Sequence, residues 1–144
     1  SGFEAPVYIT WSGPNRSSLI RIPAGRGLST RIEFRSPDPT CNPYLTFAVI
    51  LAAGLDGIKR GIDPGEAVDL NVYHLTPAER AARGIKTLPA NLKEALDYLE
   101  ADSVIRGALG EHVFQNIMRL GLLEWEAYNT YVHPWEIDRY INTF

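Results

Sequence analysis

Cysteine is almost missing from this chain. Cys41 stands alone among 144 residues, so no intrachain disulfide staples the fold and no CxxC pair offers zinc or redox chemistry. Long apolar runs are missing too. The longest, Phe47 to Leu55 with Gly54 counted, is far short of the ~20 residues a membrane-spanning helix needs. No basic-then-apolar signal segment opens the sequence, and with the lone cysteine this reads as a reducing, cytosolic setting. A basic surplus is also lacking. Fourteen Lys and Arg against 17 Asp and Glu leave a net charge of −3, which argues against a general nucleic-acid binder. Gly25-Arg26-Gly27 has neither the spacing nor the lysine of a phosphate loop. His74, His112 and His133 are too scattered for a metal set, and Ser17 and Ser18 have no neighbouring histidine, which sets aside a serine hydrolase.

What is present is ordinary globular composition, 45% hydrophobic and 22% charged, enough for one domain or a piece of a larger one. The charge is unevenly spread. Residues 1–36 hold five arginines (Arg16, Arg21, Arg26, Arg31, Arg35), no lysine, and only Glu4 and Glu33 as acids. The remaining 108 residues carry nine basic and fifteen acidic groups. Arginine without lysine favours planar, forked recognition of carboxylate or phosphate oxygens over a mobile point charge.

The pattern predicts strands first and helices after, an α+β chain with strands over residues 1–40 and a helical region over 41–144. Val7 to Trp11, Ser18 to Ile22 and Thr30 to Phe34 read as strands, the last two as an antiparallel pair. Ser12-Gly13-Pro14-Asn15 and Ser36-Pro37-Asp38-Pro39 read as turns. Asn42 caps a helix with Pro43 at its first position, and Tyr44 to Ile58 is apolar nearly all round, which predicts burial on most sides. Thr76-Pro77-Ala78-Glu79 opens a short helix. Leu92, Ala95, Leu96 and Leu99 mark an amphipathic one. A longer helix carries Val113, Phe114, Ile117, Gly121, Trp125, Tyr128 and Val132 as a core stripe, whose aromatic content also suits a subunit contact. His133-Pro134-Trp135-Glu136 breaks it before a last short helix.

Arg31-Ile32-Glu33-Phe34-Arg35 is the sharpest chemical signal. A period of two puts one carboxylate between two guanidiniums on one strand face, and Arg16 and Arg21 lie on the preceding segment. Two readings stand side by side: a solvated face of weak ion pairs, or a pocket in which arginines grip anions while Glu33 meets a divalent cation. Asn15-Arg16-Ser17 matches the glycosylation sequon, a match that a cytosolic setting makes accidental. Cys41 beside a helix cap reads as a small packed residue.

Gly2-Phe3-Glu4-Ala5-Pro6, Asn15-Arg16-Ser17, Arg21-Ile22-Pro23, Arg31 through Pro39, Asn42-Pro43-Tyr44-Leu45 and Ala52-Ala53-Gly54-Leu55-Asp56-Gly57-Ile58 resemble the glutamine synthetase family in order and spacing over about residues 2–70. The remainder, including Ala108-Leu109-Gly110-Glu111-His112 and Val132-His133-Pro134-Trp135-Glu136, is similar to the C-terminal end of the type I enzyme in its unmodified, feedback-regulated branch. The resemblance makes the chain the last third of a subunit of a large homo-oligomer, a double-ring dodecamer. It implies ATP-driven ligation of ammonia to the side-chain carboxylate of L-glutamate with Mg2+ or Mn2+. It assigns Glu4 to a mobile flap that closes over substrate and takes a proton from ammonium. Arg16 is assigned to the terminal phosphate and to glutamate, Arg21 and Arg31 to phosphate, Arg35 to glutamate, and Glu33 to the metal. Leu28 and Ser29 stand where some relatives carry a nucleotide-facing lysine. Tyr73 lies where another branch carries an adenylylated tyrosine, but His74 replaces the acid that follows there, so no such modification is expected. Two alternatives accompany this reading. One is a γ-glutamyl-polyamine ligase of the same superfamily; the other is an interaction module whose C-terminal helices hold subunits together and bind a nitrogen-responsive regulator. Neither a nucleic acid nor a membrane is an expected partner.

Overall fold

A computed structural model describes residues 5–141 and 143. The chain forms two compact units, Ser1–Leu88 and Pro89–Phe144. Glu4 lies outside the described residues.

Among the described residues the first unit holds five strands of two residues each, β1 (Tyr8–Ile9), β2 (Trp11–Ser12), β3 (Ile20–Arg21), β4 (Glu33–Phe34) and β5 (Lys86–Thr87). β3 and β4 pair antiparallel, Ile20 opposite Phe34 and Arg21 opposite Glu33, as the alternation predicts. Two features depart from expectation. The Val7–Trp11 run is divided, because β1 pairs antiparallel with β5 while β2 pairs parallel with β3. β5 itself lies inside the stretch expected to be helical, where Lys86 and Thr87 take their register from Ile9 and Tyr8. A strand of two residues carries almost no periodic signal, so only the partner across the sheet reveals it. Thr30 to Phe34 is likewise shorter than expected: a 3₁₀ turn covers Gly27–Ser29 and only Glu33–Phe34 pairs as strand.

Parallel strands ordinarily need a long crossover. Here residues 13–19 suffice for a ladder of two residue pairs, Trp11 with Ile20 and Ser12 with Arg21, flanked by Ile20 N–H to Thr10 C=O at 3.0 Å and Ile22 N–H to Ser12 C=O at 2.9 Å. The return loop folds inward, burying Ser17, Ser18 and Leu19. Val72 is fully buried against this region, its N–H bonded to the Ser17 hydroxyl.

The helix α1 (Pro43–Arg60) starts as predicted, with the Asn42 side-chain oxygen accepting from Tyr44 N–H at 3.0 Å and Leu45 N–H at 3.3 Å. It ends at Gly61, whose φ of 60° is the left-handed conformation that glycine adopts without penalty. The expected burial is corrected: among the described residues no α1 side chain is buried, and Tyr44, Phe47, Leu51, Leu55 and Ile58 are all exposed. Apolar periodicity shows that a face wants cover; it does not say that the cover lies in the same stretch of chain. The short helix α2 (Pro77–Ala82) carries the Thr76/Glu79 capping box.

In the second unit, α3 (Leu92–Ala101) packs against α4 (Ser103–Thr130), with Leu96 and Phe114 as buried anchors. Asn91 and Asp102 cap their first turns. Gly110, at φ 71° and ψ 158°, interrupts α4 with a kink the sequence reading did not foresee. The predicted stripe is buried only in part. Val113, Ile117, Gly121 and Trp125 are half-buried, Tyr128 is exposed, and Val132 lies exposed beyond the helix end. Ten residues of α3 extend ~15 Å at 1.5 Å per residue, too short to cover the whole of α4. The last helix is α5 (Pro134–Tyr140). No described helix is long and apolar enough to cross a membrane.

Candidate functional site

The strand pair β3–β4 aims three charged side chains together. Register places Arg21 opposite Glu33, and Arg21 Nη1 donates to Glu33 Oε2 at 2.9 Å. Arg31, two residues along, closes on the other oxygen, with Nη2 at 2.7 Å and Nε at 3.2 Å from Oε1. Both carboxylate oxygens are thus clasped by guanidinium. These hydrogen bonds, Arg21's first and Arg31's second, hold the Glu33 carboxyl below its ordinary 4.5. The buried Nε of Arg21 has no hydrogen-bond partner among the described residues. So the carboxylate lies between two guanidiniums as the sequence predicts, but the second one comes across the ladder from Arg21.

Arg35 has a different station. Its Nη1 donates to the backbone carbonyl of Arg16 and approaches that of Ser18 at 3.4 Å. Together with Arg16 it lines an open cavity of about 480 Å³, whose other described walls are Asn15, Ser17, Asn71, Tyr73 and His74. Two guanidiniums and no carboxylate are among these residues. Such a lining suits a multiply charged anion, and Asn, Ser and Tyr side chains add neutral hydrogen-bonding groups.

The polar residues of the return loop hold the cavity open. Asn15 Oδ1 accepts from the Ser17 N–H and the Ser17 hydroxyl, both at 2.9 Å, while Asn15 Nδ2 donates to the carbonyls of Val68 at 3.0 Å and Leu70 at 2.6 Å. Ser12 Oγ bonds Asp69 Oδ1 at 2.5 Å, and Trp11 both donates from its indole to Gly65 and accepts from Val68 N–H at 2.9 Å. Residues 65–72 are laid along 11–17 in this way, and the 3₁₀ turn Val72–His74 follows, with Asn71 Oδ1 accepting from Tyr73 N–H at 3.1 Å. Tyr73 packs its ring 5.2 Å from that of Tyr8, and its hydroxyl lies 3.4 Å from the Ala5 carbonyl. Asn15, Ser17, Asn71 and His74 were not foreseen as pocket residues. Asn15 and Ser17 flank Arg16 in one of the strings that carry the family resemblance, whereas Asn71 and His74 carry no pocket signal in the sequence.

For a metal, Glu33 offers a hard oxygen ligand of the kind Mg2+ or Mn2+ takes. Among the described residues no group of three or more His, Cys, Asp or Glu side chains gathers around a common point, so for such a site Glu33 would be a single ligand, its two oxygens here held by Arg21 and Arg31.

An arginine-clasped carboxylate and an arginine-lined cavity are thus carried on the short strands and loops of an α+β chain. The chain belongs to the family of the glutamine synthetase catalytic domain, whose model matches residues 1–140. It is 57% identical over 141 residues to the glutamine synthetase of Methanosarcina mazei, an alignment covering 98% of this chain and 32% of that protein. Among solved structures, ligand-free GmaS superposes with a TM-score of 0.77 at 36% identity, over 96% of this chain and 31% of that one. The cryo-EM structure of Plasmodium falciparum glutamine synthetase superposes with a TM-score of 0.76 at 25% identity, over 96% and 35% respectively. The chain therefore spans about a third of the length of the curated relatives it matches.

Proposed function

We propose that the chain is the C-terminal portion of the catalytic domain of a glutamine synthetase, and that the whole protein ligates ammonia to L-glutamate at the expense of ATP through a γ-glutamyl phosphate. The observation that carries this reading is the family match over residues 1–140; the arginine-lined cavity agrees with it in chemistry. Arg16 and Arg35, sharing one cavity, take the glutamate carboxylates, with Arg16 also reaching the terminal phosphate of ATP. Arg21 and Arg31 face phosphate from the β3–β4 cluster. Fixed guanidiniums lower the barrier by offsetting charge that builds on the transferring phosphoryl group, the main source of catalysis in such transfers. Glu4 removes a proton from ammonium over the closed site. Glu33 contributes one ligand to Mg2+ or Mn2+, with the other ligands coming from elsewhere in the protein. The bound cation supplies charge neutralisation and orientation at the phosphates.

In this reading the protein works in the cytoplasm as a homododecamer, and its C-terminal helices contribute to the assembly and to contact with a nitrogen-responsive regulator. Ammonia is favoured over a polyamine because relatives 57%, 51% and 54% identical to this chain are named glutamine synthetases. The test is phosphate release by the full-length protein with glutamate, ATP and either ammonia or putrescine. Turnover with ammonia supports the reading; turnover with putrescine alone replaces it by the polyamine ligase. The 144-residue chain by itself is expected to show no glutamate- and ammonia-dependent ADP release, since Glu33 alone does not build a metal site.

A further inference from the structure

The Asn15 carboxamide uses every hydrogen-bonding group it has to join the two walls of the cavity. Its oxygen takes the backbone and hydroxyl of Ser17, on the wall that presents Arg16. Its nitrogen gives both hydrogens to the carbonyls of Val68 and Leu70, on the segment that leads into the opposite wall of Asn71, Tyr73 and His74. Ser17 closes the circuit by accepting from the buried Val72 N–H at 3.1 Å. Arg16, between these two anchors in sequence, is exposed. The arginine's own carbonyl is drawn toward the Arg35 guanidinium, so the placement of both guanidiniums depends on one short loop.

We propose that Asn15 is the positioning residue of this anion cavity: its amide hydrogens, bonded to Val68 and Leu70, set the spacing at which Arg16 and Arg35 face the 71–74 wall. The inference rests on the reading of the cavity as the site for the glutamate and phosphate anions. Neither Asp nor Ala can substitute. Aspartate is isosteric but would direct a carboxylate at two carbonyl oxygens, and alanine would leave those carbonyls and the Ser17 donors without the partner they now have. The same bonds occupy the nitrogen that a sequon would need for glycosylation.

The experiment uses the full-length protein, with calorimetric affinity for inorganic phosphate and steady-state KM and kcat for glutamate as readouts. In Asn15→Ala and Asn15→Asp the phosphate affinity is expected to fall, and the glutamate KM to rise, by about tenfold or more, two lost hydrogen bonds being enough for that, with mass and helix content unchanged. In both variants the glutamate KM should rise while kcat changes less than twofold, because the arginines that bind the anion are displaced and the reacting groups are not. A merely structural role would lower the active fraction, and hence kcat, with KM unchanged. Phosphate binding and glutamate KM within twofold of wild type in folded Asn15→Ala would overturn the proposal, as would a wild-type protein that binds no phosphate. Should both Asn15 variants fail to fold, Ser17→Ala, which removes only the hydroxyl, must show the same loss, and wild-type behaviour there would overturn the proposal. Phosphate binding that depends on Asn15 in a protein that makes no glutamine would sink the assigned reaction and leave this inference standing.

Discussion

Glu33 sits where two arginines compete for one carboxylate, and its protonation is the most direct probe of that geometry. The folded-state value lies below the ordinary 4.5 because of hydrogen bonds from Arg21 and then Arg31. The sign follows: the pairing contributes fully above the unfolded value and is lost as pH falls through the lower folded value. Carbon-13 NMR of the Glu33 carboxyl should therefore show a midpoint below 4.5. Arg21→Ala should raise it more than Arg31→Ala does; the opposite order would contradict the observed clasp. At this scale the sequence was legible where side chains alternate on one strand, since Arg31 and Glu33 do meet. It was not legible where a partner comes across a ladder or from a loop. Arg21 reaches Glu33 only through the Ile20–Phe34 register, and Arg35 bonds carbonyls nineteen and seventeen positions back along the chain.

Two helix starts were readable because their chemistry is local: Asn42 and Thr76 hold first-turn N–H groups, as do Asn91 and Asp102, which the sequence reading does not single out. What helices bury was less so. The α1 stripe of Tyr44, Phe47, Leu51, Leu55 and Ile58 is exposed, although its spacing is that of a core face. Leu51→Asp in the 144-residue chain should therefore leave helix content by circular dichroism unchanged while lowering self-association in sedimentation. A loss of helix content would mean that the face is already packed. Gly121 is the opposite case. A Cβ there would fall 2.8 Å from Leu96 Cδ2, and Leu96 is buried, so the two helices touch through the missing side chain. Gly121→Val should cost about 1–3 kcal/mol from overpacking, read as a lower thermal midpoint of the second unit; an unchanged midpoint would show that Leu96 moves aside freely. Gly110 is a further limit on sequence reading, since a glycine inside a helical pattern does not by itself announce a left-handed residue.

For the whole molecule, the family was legible because its motifs lie in contiguous strings, and residues 1–140 match the family model. The cavity was not, because its walls at 15–17, 35 and 71–74 come from three separated stretches, joined by hydrogen bonds of carboxamide and hydroxyl groups that carry no periodic signal. The central claim is that this cavity grips the anionic substrate, and Arg35, which holds the Arg16 carbonyl but makes none of the Asn15 hydrogen bonds given above, tests it. The glutamate KM of full-length Arg35→Ala, assayed by glutamine formation at saturating ATP and ammonia, should rise about tenfold or more, the order expected when a charge-assisted contact to a carboxylate is removed. A KM equal to that of the wild type, in a variant of unchanged mass and fold, would contradict the account.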